Sequence, residues 1–591
     1  MNTADASVAR LLPRLVRHVS KRRRVQFCGL LLMMLASAAV EMLSIGAVIP
    51  FIALLSNPQT LLEFPWLQAH FSRLGWETPE SIVPAMTLTF MALILIAGFV
   101  RFLVLFLTNR LIYALGFDIS VTLFRRILVQ PYEFHIASSS AEIISGVNKV
   151  YAVLNGIVRP VLDISIATVL SLAILGVLVY IQPVATFMAM VFFIAGYVLI
   201  AIKVRRRLAE NSRQTASAQT RRVRCIQEGL GGIRDTILDN RQERITGIFA
   251  TIDRQLREAQ ASNAVLNQVP HTLFQTLGIV LIIGFAWFLS TRAGSLVEAL
   301  PMLGALALGA QRLLPMFQKF YGAWSRMTGN QQLAADVLRL LELPAPAVSV
   351  ASDSSPAAFN KQIELANISF SYAGSDERVL QNVNLVIPMG ARIGIAGPTG
   401  AGKSTLADLI MGLLQPSEGQ LLVDGHEIND SNRHQWHCQI SHVPQDIFLL
   451  DASITENIAF GVPAGKIDMD RVRYAARCAQ IEEFINSRPQ GFDGIIGERG
   501  IRLSGGQRQR IGLARAIYRD ASLVVLDEAT SALDTTTEAA AMGAVAELDK
   551  KLTIIIIAHR HQTLAQCDQI ICLEAGQITG AKVWSELVAN Q

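Results

Sequence analysis

The sequence predicts a membrane-embedded, all-α domain of six spanning helices, followed by a soluble α/β domain with a phosphate-binding loop. Only 17% of the 591 residues are charged, whereas soluble domains usually carry about 25%. Apolar residues make up 51% of the chain, and its mean hydropathy is +0.38. From Ile363 onward, short β-branched runs alternate with helical ones, a pattern typical of an α/β domain. We therefore expect a membrane domain at 1–343, a Pro-, Ser- and Ala-rich linker at 344–360 and a second domain at 361–591.

Six segments are apolar over the roughly 20 residues that a helix needs to cross a hydrocarbon core. A basic stretch at 21–24 precedes the first of them, which is too long for a signal peptide. Lys and Arg are concentrated at the N-terminus and in the long segments after the second and fourth spans, which places those regions in the cytoplasm. We predict a multi-pass protein of the cytoplasmic (inner) membrane, with its N-terminus and C-terminal domain both cytoplasmic. The predicted spans are 27–54, 82–106, 161–181, 184–202, 273–289 and 296–314.

Charge and cysteine content exclude some classes of protein. A net charge of +5 is small for this length and argues against nucleic-acid binding. The six cysteines show neither a Cys-x-x-Cys pair nor metal-ligand spacing, so we expect free thiols.

Charged residues within the spans are costly if they face lipid, so they indicate function or pairing. Glu41 lies in the first span, Arg101 in the second, and Asp163 and Arg312 lie near the ends of the third and sixth. One interpretation is a polar cavity in which Arg101 and Arg312 meet an anionic group. The other is an ion pair between Glu41 and an arginine that holds the helices together.

A glycine-rich loop at 397–405 lies between an apolar strand at 392–396 and a helical stretch at 406–414. In this context glycines let backbone N–H groups point at phosphate oxygens, and the helix N-terminus adds a positive dipole. Lys403 would neutralise the β- and γ-phosphates, and Ser404 would bind Mg²⁺. The predicted nucleotide-binding residues are Gly397, Pro398, Thr399, Gly400, Ala401, Gly402, Lys403, Ser404 and Thr405.

Two further motifs follow this loop. The apolar strand at 523–526 ends in Asp527, which can reach the metal, and Glu528, which can orient or deprotonate the attacking water. Taken alone, such an acidic pair is commonly a helix cap. About 100 residues after the loop, Leu503 and Ser504 with two glycines open an Arg-rich helix, which predicts a second phosphate-binding helix N-terminus or, taken alone, a capped turn.

In this order and spacing, the motifs resemble the nucleotide-binding domain of the ATP-binding cassette family. The resemblance implies an ATPase with ATP and Mg²⁺ as cofactors. It makes Gln445 the glutamine that touches Mg²⁺ and His559 the switch histidine at the γ-phosphate. Asp534 resembles a residue of the loop that crosses to the partner domain, and Tyr372 matches the aromatic residue that stacks on adenine. The resemblance thus implies catalytic residues Glu528, His559 and Gln445, nucleotide contacts at Tyr372, Gln445, Ser504, Gly505, Gly506, Gln507 and Asp534, and metal ligands Ser404, Gln445 and Asp527.

Six spans ahead of one cassette match the fused half-transporter (type IV) exporter architecture. Within the exporters, the chain resembles lipid-linked oligosaccharide flippases of bacterial protein glycosylation and lipid A flippase-type exporters. The resemblance implies ATP-driven export or flipping of an amphiphile, a lipid-linked oligosaccharide or another anionic lipid. Its substrate-site positions are Glu41, Arg101 and Arg312, together with His271, which replaces the basic residue expected at the start of the fifth span.

The chain has one phosphate loop and one signature motif, whereas in the family each ATP lies between the loop of one cassette and the signature of another. This implies a homodimer. We also expect short coupling helices near 126–135 and 229–241, docking beside Gln445. A multidrug or peptide exporter and an ATP-gated channel or regulator are alternatives, although the intact Glu528 and His559 favour turnover.

Overall fold

The computed structural model describes residues 8–46, 79–181, 183–292, 314–344, 359–375, 377–528, 543, 552–558 and 561–584. The chain divides into two compact units. The first comprises Met1–Leu128 and Ser138–Pro344, and the second comprises Val129–Ala137 and Ala345–Gln591. Residues 129–137 lie between two segments of the first unit in the sequence, but they belong to the same unit as the C-terminal domain.

Helices form the described part of the first unit, and the short α4, which belongs to the second unit, interrupts their order. The helices are α1 (Val8–Arg17), α2 (Lys21–Gly46), α3 (Pro79–Leu128), α4 (Tyr132–Ala137), α5 (Ser140–Val153), α6 (Arg159–Ile181), α7 (Pro183–Gly231), α8 (Ile233–Leu238), α9 (Gln242–Arg292) and α10 (Gln331–Leu341). A single π-helical turn, Leu154–Val158, joins α5 to α6, and another helical stretch covers 314–329.

The predicted spans coincide with helices wherever the structure describes them. The second to fifth fall within α3, α6, α7 and α9, and the first follows α2 as far as Gly46. The end of the first span and nearly all of the sixth lie outside the described residues. Among the described residues, three stretches are long and apolar enough to cross a membrane: Lys21–Val40, Met86–Leu128 and Ser140–Val169. On α3, Leu95, Phe99 and Phe102 are 71%, 65% and 61% exposed, which suits a helix that faces lipid.

Ion pairs join the helices of the first unit. Asp163 on α6 is one of the charges for which the sequence suggested a polar cavity. Its carboxylate accepts a hydrogen bond from Arg326 Nη2 at 2.9 Å. On the cytoplasmic side of the predicted topology, Lys149 on α5 lies 2.6 Å from Asp336 on α10. For Asp163, the structure therefore shows an ion pair between helices, which is the second of the two roles considered for charges within the spans.

The second unit contains two sheets. The larger has six strands in the order β10-β9-β3-β8-β7-β6, and all but β10 run parallel to their neighbours. The smaller is antiparallel, in the order β2-β1-β4-β5. The strands are β1 (Gln362–Phe370), β2 (Leu380–Pro388), β3 (Arg392–Ala396), β4 (Glu418–Val423), β5 (His426–Glu427), β6 (Ile440–Val443), β7 (Leu523–Asp527), β8 (Thr553–Ile557), β9 (Gln569–Glu574) and β10 (Gln577–Lys582).

The parallel sheet decides where the predicted site lies. All five residues of β8 are buried, as expected for a central strand covered on both faces. Because β3 and β7 flank β8 in the same direction, their carboxyl ends, at Ala396 and Asp527, open at the same edge. Ligands of open α/β sheets bind at that edge.

Besides α4, six α-helices accompany these sheets in the described residues. They are α11 (Lys403–Ile410), α12 (Arg433–Cys438), α13 (Ile454–Ile458), α14 (Met469–Cys478), α15 (Glu482–Asn486) and α16 (Gly505–Tyr518). Buried Ile511 and Ala514 on α16 pack into the same apolar cluster as Val524 and Leu526 of β7. Helix α16, which opens at the signature motif, is thereby fixed against the strand that ends in Asp527.

Candidate nucleotide-binding site

The phosphate loop follows β3 directly, and its glycines are required by close contacts. A Cβ on Gly397 would lie 2.2 Å from the carbonyl oxygen of Leu573. Gly402 has a φ of +98° in the left-handed region, and a Cβ there would lie 2.9 Å from Leu380 Cδ2. Helix α11 then begins at Lys403. The loop therefore has the strand–loop–helix geometry that the sequence predicted, with the helix N-terminus at the loop.

Lys403 is 7% exposed, and its ammonium is fixed at the loop. Its Nζ donates hydrogen bonds to the carbonyl oxygens of Gly397 at 2.9 Å and Pro398 at 3.0 Å. Burial lowers the pKa of Lys403, while the negative charges of Glu528 and Asp527 oppose that shift. The cation and both carboxylates thus belong to one electrostatic site.

Glu528 is held by three different parts of the domain. Its φ of 49° is left-handed, which is strained for a residue with a side chain. Its backbone N–H donates to the carbonyl of Ile557 on β8 at 2.9 Å, and its own carbonyl accepts from Gln509 Nε2 at 3.4 Å. Gln445 Nε2 donates to the carboxylate Oε2 at 2.7 Å. The structure therefore brings Gln445 to the carboxylate for which the sequence predicts the role of base.

The donor set suits the predicted metal. Mg²⁺ prefers oxygen ligands, and a hydroxyl, a carboxylate and an amide oxygen are available from Ser404, Asp527 and Gln445. Asp527 is the last residue of β7, at the sheet edge onto which the phosphate loop opens. These residues would hold Mg²⁺ against the phosphates, where the ion would neutralise charge on the transferred group.

Tyr372 also lies beside the loop helix. Its hydroxyl is 3.1 Å from Thr405 Oγ1, and its ring meets Phe370 edge-on with centroids 5.0 Å apart. Helix α4 belongs to the same unit, where Glu133 Oε1 accepts the backbone N–H of Gln415 at 3.1 Å. Burial and the nearby Asp408 and Tyr372 raise the pKa of Tyr132 on α4. Helix α4, which lies between α3 and α5 in the sequence, is thus close to Tyr372, the residue predicted to stack on adenine.

The signature motif forms a capping box at the start of α16. Ser504 Oγ accepts the backbone N–H of Gln507 at 3.3 Å, and Gln507 Oε1 accepts the N–H of Ser504 at 2.9 Å. Capping boxes satisfy two of the free N–H groups of a helix N-terminus. The two glycines, Gly505 and Gly506, occupy the first helical positions, so their backbone can approach a ligand closely.

Several of the other predicted residues fall outside the part of the chain that the structure describes. Asp534 and His559 lie outside the described residues, as do Arg312 and the side chain of Glu41. Arg101 on α3 and His271 on α9 are both exposed on their helices. Helices α4 and α8 lie at the positions predicted for coupling helices, but the contact of α4 is with Gln415, and docking beside Gln445 stays a prediction.

Sequence reasoning missed two residues of this domain. Gln509, 6% exposed, reaches the backbone of Glu528 from α16. Arg515, further along α16, donates to the carbonyls of Asn457 at 2.9 Å and Phe448 at 3.0 Å. Both follow the signature in an Arg- and Gln-rich helix, where polar residues at core-facing positions are the only signal.

Comparison with known proteins identifies the family. The model for the ABC transporter transmembrane region matches residues 27–296, and the ABC transporter model for the nucleotide-binding part matches residues 380–531. The chain belongs to the ABC transporter family. This ABC transporter is a multi-pass membrane protein with a fused ATP-binding domain, and it is an ATPase.

Several known proteins are similar to this transporter over part or most of the chain. An ATP-dependent lipid A-core flippase of Pseudomonas aeruginosa is 27% identical over 562 residues, which cover 94% of this transporter and 90% of the relative. A protein of the same name from Salmonella typhimurium is 41% identical over 228 residues, 39% of each chain. The structure of a bacterial Atm1-family ABC exporter with ATP bound matches with a TM-score of 0.78, covering 96% of both chains at 22% identity, and shows the shared fold.

Proposed function

We propose that this ABC transporter flips or exports an anionic lipid across the cytoplasmic membrane as a homodimer driven by Mg²⁺-dependent ATP hydrolysis. The observation that carries the ATP-driven part is the hydrogen bond between Gln445 and the Glu528 carboxylate, beside the buried Lys403. The lipid class is supported by a relative that is named a lipid A-core flippase and matches over 94% of this chain. A lipid-linked oligosaccharide is the specific substrate that we propose.

Glu528 acts as the base that orients or deprotonates the attacking water. Its carboxylate is held by the Gln445 amide, and its backbone is fixed by β8 and α16. Gln445, Ser404 and Asp527 would hold Mg²⁺, and Tyr372 would stack on adenine. Asp534, His559 and the signature residues complete the site, with the signature supplied by the second subunit.

Lipid transport follows from differential affinity of ATP for two states of the dimer. ATP binding favours the closed pair of nucleotide-binding domains, and hydrolysis removes the contact that holds them together. Helix α4 and the cytoplasmic α8 are the elements that we expect to carry this change between the two domains. The substrate contacts would come from Glu41, Arg101, His271 and Arg312.

The test is Glu528→Gln in the purified full-length protein, reconstituted in liposomes. Since a general base contributes about 10²–10⁴ in rate, we expect Mg²⁺-dependent ATPase activity to fall by at least about 100-fold, with ATP binding retained. Glu427→Gln, an exposed carboxylate on β5, is the matched control and should leave turnover unchanged. Equal hydrolysis by Glu528→Gln and wild type would refute the assignment of the base.

The lipid half of the proposal has its own readout. ATP-dependent movement of a fluorescently labelled acidic lipid between leaflets, followed by chemical quenching from outside, should occur with wild type and stop with Glu528→Gln. Hydrolysis without any lipid movement would leave the ATPase assignment intact and reject the lipid substrate. Where lipid movement is observed, mass spectrometry of lipids that co-purify with the Glu528→Gln protein would identify which lipid is the cargo.

A further inference from the structure

A cavity of about 600 Å³ lies within the first unit between α5, α7 and α10. Its volume is within the range of about 300–1,000 Å³ found for small-molecule sites. Small residues make the room, with Gly146 on α5, Ala216 on α7 and Ala335 on α10 in its wall. A Cβ on Gly146 would lie 2.3 Å from Leu340 Cδ1, so a larger residue there would require the Leu340 side chain to move.

A buried ion pair forms one side of the cavity. Lys149 is 3% exposed, and its Nζ donates to Asp336 Oδ2 at 2.6 Å and to Thr220 Oγ1 at 3.1 Å. Gln332 Nε2 donates to the other oxygen of Asp336 at 3.1 Å. Because desolvation largely offsets the attraction of a buried ion pair, such a pair is a poor stabiliser of the fold. These hydrogen bonds join Lys149, Asp336 and Gln332 into one polar wall of the kind that a binding site for a polar ligand needs.

The lining carries more positive than negative charge. Glu142 is paired with Arg339 and Asp336 with Lys149, which accounts for both carboxylates of the lining. The two further cations are arginines of α7. Arg221 donates to the neutral amide oxygen of Gln255 at 2.8 Å, and the exposed Arg213 forms no ion pair with any residue that the structure describes. Two arginines of the lining therefore have no carboxylate partner among the described residues.

We propose that this cavity binds the phosphate ester of a hydroxyl-rich group, carried by a membrane lipid or by a soluble molecule. Guanidinium groups bind phosphate oxygens through paired, charge-assisted hydrogen bonds. The hydroxyl of Ser217 and the amide of Gln332, both in the lining, suit the hydroxyls of a sugar or polyol. Arg213 and Arg221 would thus bind the charged phosphate, and Ser217 and Gln332 would bind the hydroxyl groups of the ligand.

The position along α7 favours a lipid headgroup. The apolar part of α7 gives way to a basic run at 203–207, and Arg213 follows Lys203 by ten residues, which is about 15 Å along a helix. Under the predicted topology this lies on the cytoplasmic side, where the headgroup of an inner-leaflet lipid resides before transport. This assignment of the source rests on the proposed lipid substrate, whereas the binding of a phosphate ester does not.

Binding of glucose 1-phosphate to the full-length protein in a phosphate-free detergent tests the site. Lys403→Ala serves as the background, so that the phosphate loop does not compete for the probe. Isothermal titration calorimetry should show affinity that falls about tenfold or more in Arg213→Ala/Arg221→Ala, since each lost charged hydrogen bond weakens binding substantially. Ser217→Phe, which keeps both arginines and fills the cavity, should also abolish binding.

The matched control is Arg244→Ala/Arg254→Ala, which removes two exposed arginines of α9. It should bind the probe as the background does. Displacement of the probe by phosphatidylinositol but not by phosphatidylcholine would assign the site to a lipid headgroup, and lack of displacement would assign it to a soluble phosphate ester. Equal affinity in the pocket variants and the control would overturn the proposal, whatever the flipping assay of the wild type shows.

Discussion

Single residues at the sheet edge are held in conformations that the fold alone would not favour. Glu528 adopts a left-handed φ of 49°, which costs about 1–3 kcal/mol for a residue with a side chain. Hydrogen bonds from Gln445, from Gln509 and to Ile557 compensate this cost. The result is a carboxylate whose position is set by the glutamine loop, α16 and β8 together, as positioning of a base requires.

Asp408 shows how a buried carboxyl beside this site lowers the free energy of unfolding. It lies on α11, and burial, with a smaller contribution from Asp527, raises its pKa to about 6. A carboxyl whose pKa is higher in the folded than in the unfolded protein destabilises the fold as pH rises from about 4 through 6, and the loss is complete above that range. The Asp408 carboxyl therefore lowers the free energy of unfolding most at neutral and alkaline pH.

Asp408→Asn should therefore raise the Tm at pH 8 by an amount that corresponds to about 1–2 kcal/mol, because each pKa unit is about 1.4 kcal/mol and partial exposure screens some of it. Thermal unfolding of the full-length protein at pH 8 and pH 5 is the measurement, and the gain should shrink at pH 5. Asp451→Asn, at an exposed carboxylate, is the control. A gain of the same size at both pH values would contradict the assignment.

At the scale of elements, α16 links the signature motif to the glutamine loop. The Arg515 guanidinium donates to the carbonyls of Phe448 and Asn457, and it stacks over the Phe460 ring at 4.6 Å. Burial lowers the pKa of Arg515 to about 10, so it remains charged at neutral pH. Phe448 lies only three positions after Gln445 in the sequence, so a displacement of α16 should also shift the amide that binds Glu528.

Arg515→Lys should uncouple these elements. Lysine retains the charge but lacks the planar fork that reaches two carbonyls at once, so at least one is left unsatisfied. We expect a lower Tm, by about 1–3 kcal/mol of stability, and a lower kcat with a smaller change in the KM for ATP. Arg473→Lys, an exposed arginine on α14, is the control. An unchanged kcat in Arg515→Lys, alongside a lowered Tm, would limit this arginine to a purely structural role.

The elements themselves show what the sequence can and cannot predict. The apolar run of β7 and the glycines of the phosphate loop are local signals, so their strand and loop were predicted correctly. The pairing of Asp163 with Arg326 and the contact between Glu133 and Gln415 join residues that are 163 and 282 positions apart. Such contacts depend on which helix faces which, and apolar periodicity does not encode the partner of a charge. The left-handed Glu528 is likewise set by the hydrogen bonds around it rather than by its residue type.

At the scale of the whole molecule, the chain supplies one phosphate loop and one signature motif. In the site that we propose, these come from different subunits, because a twofold dimer pairs each motif with its counterpart on the other chain. The capping box at Ser504 holds the signature helix N-terminus in a form that can meet a phosphate. A site shared between two subunits and a site completed by one chain therefore predict different behaviour of dimers that combine two different variants.

Mixed dimers of two differently tagged chains separate the two arrangements. With Lys403→Ala on one chain and Ser504→Arg on the other, both defects fall in the same composite site and the second site stays intact. With both substitutions on one chain and a wild-type partner, each composite site carries one defect. After hydrolysis of ATP, we expect ADP trapped with vanadate at about one site per dimer in the first case, and almost none in the second, because trapping needs both motifs of one site. If each chain instead completed its own site, the outcome would be reversed. Trapping by the doubly substituted dimer alone would therefore reject the homodimeric site, and tag-specific purification of each mixed dimer makes the comparison direct.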